Sequence, residues 1–316
     1  MNTPFLHVAV GVIERHDGHV LIAKRHAAAH QGGLWEFPGG KREAGETIEQ
    51  ALQRELAEEL GIAVRHSEPL IKIPYQYHDR SVLLDVWRVK EFTGKASGRE
   101  GQDIAWVNRH DLLEYDFPAA NRPIINAISL PPFYAILEGT DEAQVLTRFE
   151  QILTNKVNMV QIRLKTLKTP VTDALLAELR FKAQAGACQL LFNSALPISP
   201  VDSSVGIHLT GQDLMRQSAK PEGFKWVAAS CHTVAELAQA EKIGVDFAVL
   251  APVQTTASHP DAPALGWPQF KQLTENCGIP VYALGGVGVA DLPQVKRCGG
   301  QGVAGIRTFI KDSAVS

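Results

Sequence analysis

Cysteine is scarce and unpatterned. The chain has 4, Cys188, Cys231, Cys277 and Cys298, all in its second half and none in a CxxC pair. That excludes a disulfide framework or a cysteine zinc site as the organising feature and leaves reduced thiols as the expectation. A surplus of one charge is lacking too: 31 Lys and Arg face 34 Asp and Glu, for a net charge of -3. Neither a nucleic-acid polymer nor a membrane is therefore the expected partner. No apolar run reaches bilayer-spanning length. The opening MNTPFLHVAVGVIERHDG shows no basic segment ahead of an apolar core and cleavage site, so a cytoplasmic location is expected. Low-complexity runs are absent as well. What remains is 316 residues of ordinary apolar content, enough for two domains with cores of their own.

One stretch organises the first half: GGKREAGETIEQALQRELAEELGI, from Gly39 to Ile62. Thr47 with Gln50 three residues on is a capping box, Ile48 to Leu60 holds no proline or glycine, and Gly61 stands where a helix closes in a left-handed residue. The spacing predicts a loop and then a helix. At about 100° per residue, Ile48, Leu52, Leu56 and Leu60 form an apolar stripe, and Glu55, Glu58 and Glu59 share an adjacent arc. Carboxylates so close repel one another unless a cation lies among them, and hard oxygen donors suit Mg²⁺ or Mn²⁺. Gly39 and Gly40 let the backbone approach the same ion, and Arg54 can brace a carboxylate from the side. The bland alternative is a solvated acidic helix face.

Around this stretch, His7 to Ile13 and Val20 to Lys24 read as strands joined at Asp17-Gly18. Ala27 to Trp35 reads as a loop, Leu70 to Tyr77 and Ser81 to Lys90 as a strand pair around His78-Asp79, and Ile104 to Val107 as a further strand. From Gly40, glycine, five residues, Glu46, seven residues and REUXEEXGU (U a bulky aliphatic residue) match every fixed position of the Nudix box. With LWEFPGG, Asp79-Arg80, GREGQ around Glu100 and DFPAAN ending at Asn121, residues 5 to 128 resemble the MutT-type pyrophosphohydrolases of oxidised guanine nucleotides. The resemblance implies an α/β/α sandwich with a mixed sheet. It also implies a metal held by Glu55, Glu58, Glu59, Glu100 and the Gly39 carbonyl, with Glu100 as first candidate for the base and Glu55 as second. Arg25, His30, Phe37, Arg80 and Asn121 would shape the nucleotide pocket. Taken singly, each of these five has a structural explanation, as a core aromatic, a helix cap or a surface charge.

SLPP, Ser129 to Pro132, breaks the chain and sets expected domains of 1–129 and 130–316. Beyond it recur the runs FYAIL, MVQIRL, QLLFN, GIHL, WVAAS, DFAVLAP, PVYALGG and GVAGI, the rhythm of a (β/α)₈ TIM barrel, with an open doubly wound sheet as alternative. In a barrel the run ends carry the site: Arg163, Lys165, Asn193, His208, Ser230, His232, Thr255, Thr256, Gly285, Gly286 and Gly305. The glycines after the last two strands suit backbone phosphate binding or simply tight turns.

QIRLK, FNS, GIHLTGQDL, ASCHT, APVQTTASHP and ALGG resemble the thiamin phosphate synthase and TenI superfamily. That implies a thiazole or thiamin-related phosphate ligand. Departures stand beside it: Asn193-Ser194 replaces the synthases' Asn-Asp metal pair, leaving Asp213, and His259 replaces a phosphate-binding lysine. His232 matches an acid/base position of the TenI branch, and a structural histidine fits there equally. The combined reading is an enzyme hydrolysing a small nucleotide and carrying a TenI-like barrel. The alternative is a hydrolase of thiamin-pathway diphosphates beside a tautomerase, a degenerate synthase or a non-enzymatic sensor.

Overall fold

The computed structural model describes residues 5–28, 31–78, 80–196, 203–256 and 263–310. The chain divides into two compact units, Met1–Leu130 with Thr274–Gly278, and Pro131–Leu273 with Ile279–Ser316.

The first unit runs β1 (Leu6–Ile13), β2 (His19–Lys24), β3 (Trp35–Glu36), β4 (Gly39–Lys41), α1 (Ile48–Leu60), β5 (Ala63–Gln76), β6 (Ser81–Thr93), β7 (Ile104–Asn108) and α2 (Arg122–Ser129). One sheet has the order β4-β1-β6-β5, with β1 and β6 parallel, and a second has the order β3-β2-β7. Alternation along β1 sets the layers. Ala9 and Ile13 pack with Leu52, Leu56 and Leu60 of α1, while Val10 and Val12 pack with Ile124, Ile125 and Ile128 of α2. The result is a mixed sheet between helices.

Helix α1 carries the capping box at Thr47 and Gln50 and closes on Gly61 at φ 69°. Its three inward leucines are 0% exposed. Each contributes roughly 1.5–3 kcal/mol on burial, so packing rather than propensity holds the helix in place.

Three boundaries differ from the sequence expectation. β5 starts at Ala63 instead of Leu70, because register shifts between Val64 and Ile71 break the alternation that would have marked it. β6 continues to Thr93. Gly39–Lys41, expected as loop, is a strand paired with β1. Gly39 sits there at φ 146°, where a Cβ would lie 2.1 Å from the Ala9 carbonyl oxygen. Asp79, in the expected turn, lies outside the described residues.

In the second unit, β8 (Phe133–Leu137), β9 (Met159–Ile162), β10 (Gln189–Asn193), β11 (Gly206–Leu209), β12 (Val227–Cys231), β13 (Phe247–Leu250), β14 (Val281–Ala283) and β15 (Gly302–Gly305) close into a parallel barrel. Closure through the β15–β8 pairing rules out the open doubly wound sheet. The helices are α3 (Glu142–Thr154), α4 (Asp173–Ala185), α5 (Gly211–Arg216), α6 (Val234–Ile243), α7 (Gly266–Glu275) and α8 (Leu292–Arg297). One residue parity packs outward, as Ala135, Val160 and Phe192 do against α3 and α4. The other fills the interior, where Tyr134, Phe247 and Tyr282 lie with ring centroids 5.3–5.7 Å apart. All four cysteines are free thiols.

Candidate active site

Arg54 organises the acidic stretch. Its Nε and Nη2 donate to the two oxygens of Glu46 at 2.8 and 3.1 Å, and Nη2 also reaches the Lys41 carbonyl at 3.0 Å. Nη1 donates to Glu55 at 2.9 Å and to Glu58 at 3.3 Å. One planar fork thus fastens the loop to the helix, and its bonds hold the Glu46 carboxyl down at about 2.

Glu59 has different company. The Gly39 N–H donates to its carboxylate at 3.2 Å, while the Arg99 N–H and the Gln102 amide close over its own carbonyl at 2.9 and 3.2 Å. Burial pushes its carboxyl up to about 8. The Gly39 bond opposes this, and the charges of Glu36, Glu55 and Glu100 push further. Glu55 lies under Gly40, where a Cβ would stand 2.2 Å from its carboxyl carbon. Four acids acting on one locus beside a glycine backbone form an oxygen-rich, over-negative donor set, which fits a hard divalent cation.

Among the described residues no three His, Cys, Asp or Glu side chains close into a cage. Arg54 draws Glu55 and Glu58 to itself, and the Glu58 side chain stays 57% exposed. Glu100 is exposed, its N–H bonded to the Gln102 side chain at 2.9 Å.

Beside Gly39 and Gly40 opens a cavity of about 240 Å³. Small-molecule pockets begin at roughly 300 Å³, so this is the size for a base rather than a whole nucleotide. One wall is apolar (Val8, Val82, Leu84, Phe37) and the other carries Arg25, Glu36, Tyr77, Arg80 and Asn121. Phe37 is 3% exposed and stacks on Phe117 at 5.3 Å. Arg25 is ion-paired with Glu36, whose carboxyl is raised by burial.

Asn121 ends a short 3₁₀ turn after Pro118 and is 8% exposed, yet its side-chain amide has no hydrogen-bond partner among the described residues. Four of the five expected pocket residues therefore meet in one cavity, and His30 lies outside the described residues. Glu36 and Tyr77 were not anticipated. The signal for Glu36 was an acid inside the otherwise apolar segment LWEFP, and Tyr77 carried none.

At the C-terminal ends of the barrel strands, Arg163 Nε donates to Glu138 at 2.6 Å, and Lys165 is exposed. His208, 1% exposed, pairs through Nδ1 with the Tyr134 hydroxyl at 3.0 Å and through Nε2 with Ser230 Oγ at 2.8 Å. Burial, with Arg163 adding to it, pushes the imidazole down to about 3, so it is neutral. Gln161 is 1% exposed with an unpartnered Nε2. Asn193 is spent locally, its Oδ1 taking the Ala195 N–H at 3.1 Å.

Asp213 accepts from Ser194 Oγ at 2.6 Å and from Thr210 Oγ1 at 2.8 Å, bonds that hold it below the usual carboxylate range. His232 is exposed and its Nδ1 meets the Ala251 carbonyl at 2.9 Å. A carbonyl only accepts, so Nδ1 is the donor in this bond. Gly285 and Gly286 have φ of 93° and 66°, and a Cβ would come within 2.8 Å of Pro252 and 2.5 Å of the Thr255 carbonyl oxygen. Thr256 lies beside Gly285, and a Cβ on Gly305 would stand 2.2 Å from Thr308 Oγ1. His259 lies outside the described residues. Gln161, Glu138 and Tyr134 were missed by the sequence reading, although Gln161 and Arg163 are two apart in QIR and share the inward face.

The thiamine monophosphate synthase family model matches residues 133–309, and the NUDIX domain model matches residues 9–127. An 8-oxo-dGTP diphosphatase of Escherichia coli (strain K12) is 43% identical over 120 residues, 38% of this chain and 93% of that protein. A CTP pyrophosphohydrolase of the same organism is 38% identical over 122 residues, 39% of this chain and 90% of that protein. A putative thiamine-phosphate synthase 2 of Aquifex aeolicus (strain VF5) is 33% identical over 186 residues, 58% of this chain and 100% of that protein. The chain belongs to the Nudix family through its first unit and to the thiamine monophosphate synthase and TenI family through its second.

Proposed function

We propose that the chain, with domains 1–129 and 130–316, hydrolyses purine nucleoside triphosphates to the monophosphate and pyrophosphate and prefers the 8-oxo-dGTP type. It is an enzyme of the nucleoside triphosphate pyrophosphohydrolase class, and relatives named as 8-oxo-dGTP diphosphatases support the substrate. The observation that carries the purine reading is Asn121, a buried amide with no partner among the described residues in a base-sized cavity adjoining Gly39 and Gly40.

Glu55, Glu58, Glu59, Glu100 and the Gly39 carbonyl would hold Mg²⁺, with Mn²⁺ as a substitute. A cation bound there neutralises phosphate charge and lowers the pKa of water. Glu100, exposed and acting on Glu59, would take the proton of the attacking water, with Glu55 as second candidate. Arg54 keeps Glu55 and Glu58 oriented, Arg25, Arg80 and Phe37 complete the nucleotide pocket, and His30, outside the described residues, is assigned to it by resemblance alone. The Asn121 amide offers one donor and one acceptor to the purine edge altered at N7 and C8.

The barrel binds a thiazole or thiamin-related phosphate through the backbone of Gly285, Gly286 and Gly305. Arg163, Lys165, Asn193, Ser230 and Thr256 would line the approach, Asp213 would support it, and His232 would supply a base; His259, outside the described residues, is assigned to the phosphate by resemblance alone. No described helix is long and apolar enough to cross a membrane, and the proposed location is cytoplasmic. Fusion to this barrel favours one second reading, hydrolysis of a thiamin-pathway diphosphate by the first unit.

Asn121→Ala tests the purine reading. The ratio of kcat/KM for 8-oxo-dGTP over dGTP should fall by about tenfold or more, because a buried hydrogen-bond pair is lost with only the oxidised substrate. An unchanged ratio would put base recognition elsewhere and advance the second reading.

A further inference from the structure

Gln102 stands in the segment between β6 and β7, and its side-chain amide is used at both ends. Nε2 donates to the Glu59 carbonyl at 3.2 Å, and Oε1 accepts the Glu100 N–H at 2.9 Å. A carbonyl only accepts and a backbone N–H only donates, so the two partners fix the amide in one orientation. The rest of the segment closes over the end of α1. The Ser97 and Arg99 N–H groups donate to the Leu60 and Glu59 carbonyls at 3.1 and 2.9 Å, and Arg99 Nη1 reaches the Ala57 carbonyl at 3.4 Å. Gly98 makes room for this, since a Cβ there would stand 1.9 Å from the Gln102 carbonyl oxygen.

The last carbonyls of a helix lack donors within it, and these bonds supply them. The Glu59 carbonyl is already served by the Arg99 N–H, so capping does not require a second donor there. What the Gln102 amide adds is a link between two acids, the backbone of Glu59 on α1 and the backbone of Glu100 on the segment. Glu100 is near enough for its charge to raise the Glu59 carboxyl. We propose that Gln102 is a positioning residue: by tying the Glu100 N–H to the Glu59 carbonyl it holds Glu100 where it takes the proton of the attacking water. This rests on the reading of Glu100 as the base.

The test is a double-substitution cycle on the full chain at saturating Mg²⁺, reading kcat, KM and melting temperature for wild type, Gln102→Leu, Glu100→Gln and the two combined. Leucine removes both bonds of the amide. A reacting group displaced by about 1 Å loses roughly 10²-fold, so Gln102→Leu should lower kcat by about 10- to 100-fold and leave KM within about threefold of wild type. In the Glu100→Gln background it should lower kcat by less than about threefold, because the group it positions is already gone. Equal losses in the two backgrounds would mark a purely structural residue and overturn the proposal, as would a wild-type kcat in Gln102→Leu. Glu100→Gln alone reads the underlying assignment. A kcat within about tenfold of wild type would remove Glu100 as the base and the proposal with it, whereas a collapsed kcat with equal losses sinks the role of Gln102 alone. Should Gln102→Leu fail to fold, Gln102→Glu takes its place in the cycle. Its carboxylate has no donor for the Glu59 carbonyl, while its protonated form has one donor and one acceptor, as the amide does. The ratio of variant to wild-type kcat should therefore rise as pH falls toward the carboxyl range, and the rise should vanish in the Glu100→Gln background. A ratio that does not change with pH overturns the proposal.

Discussion

Glu59→Gln should lower kcat by about 10³-fold or more, the equivalent of about 4 kcal/mol of lost transition-state stabilisation. The substitution keeps the side chain's length, its helix propensity and an oxygen able to accept the Gly39 N–H, now 3.2 Å from the carboxylate. It removes only the charge. That charge is unfavourable in the free protein, since burial and the neighbouring Glu36, Glu55 and Glu100 raise the carboxyl to about 8, well above its unfolded value. Above the unfolded pKa, ionised Glu59 therefore works against folding, and in metal-free buffer near neutrality the variant should melt at or above the wild-type temperature. Equal or better stability with collapsed turnover identifies a group kept for the reaction. Glu55→Gln should also abolish hydrolysis. A kcat within tenfold of wild type at saturating divalent cation would remove Glu59 from the metal-holding set.

The second large effect concerns the barrel. Supplied with a pyrimidine diphosphate and a thiazole phosphate, the full chain should form thiamin phosphate orders of magnitude more slowly than a synthase does. That reaction builds charge on departing pyrophosphate, and metal ligands and fixed cations must already be in place to meet it. Ser194 offers a hydroxyl where an aspartate would offer an anionic oxygen. Its hydroxyl is spent on Asp213 at 2.6 Å, and Asp213 takes a further bond from Thr210 at 2.8 Å. The remaining acid is thus tied into its own hydroxyl pair beside α5. Phosphate binding should persist, because the proposed contacts of Gly285, Gly286 and Gly305 would be made through backbone. Run in the Glu59→Gln background, the assay keeps the first unit from consuming the diphosphate, and calorimetry with a thiazole phosphate reads binding. Rapid synthesis would mean that other groups replace the missing ones, and absence of any phosphate-ligand binding would make the barrel a structural module.

The parts of the fold legible in the sequence are those whose rules are local. Helix α1 was marked at both ends by its own caps and along its length by Leu52, Leu56 and Leu60. The barrel strands were marked as apolar runs because a parallel strand is buried on both faces. β3 and β4 were not legible: two and three residues carry no alternation, and Gly39-Gly40 read as a turn. In the site, Glu58 and Glu59 belong to the same acidic arc of the helix, about 100° apart. What the sequence could not show is that the segment carrying Arg99 and Gln102 folds back over Glu59, contacts made from 40 and 43 residues away.

The most direct test of the account is product analysis of the full chain acting on 8-oxo-dGTP and dGTP as Mg²⁺ is titrated, with the thiamin-pathway diphosphates assayed alongside. The account predicts pyrophosphate and the nucleoside monophosphate as products, a higher kcat/KM for the oxidised substrate, and loss of turnover on chelation that Mn²⁺ restores. Release of orthophosphate from the triphosphates, or a thiamin-pathway diphosphate cleaved with higher kcat/KM than either nucleotide, would contradict it.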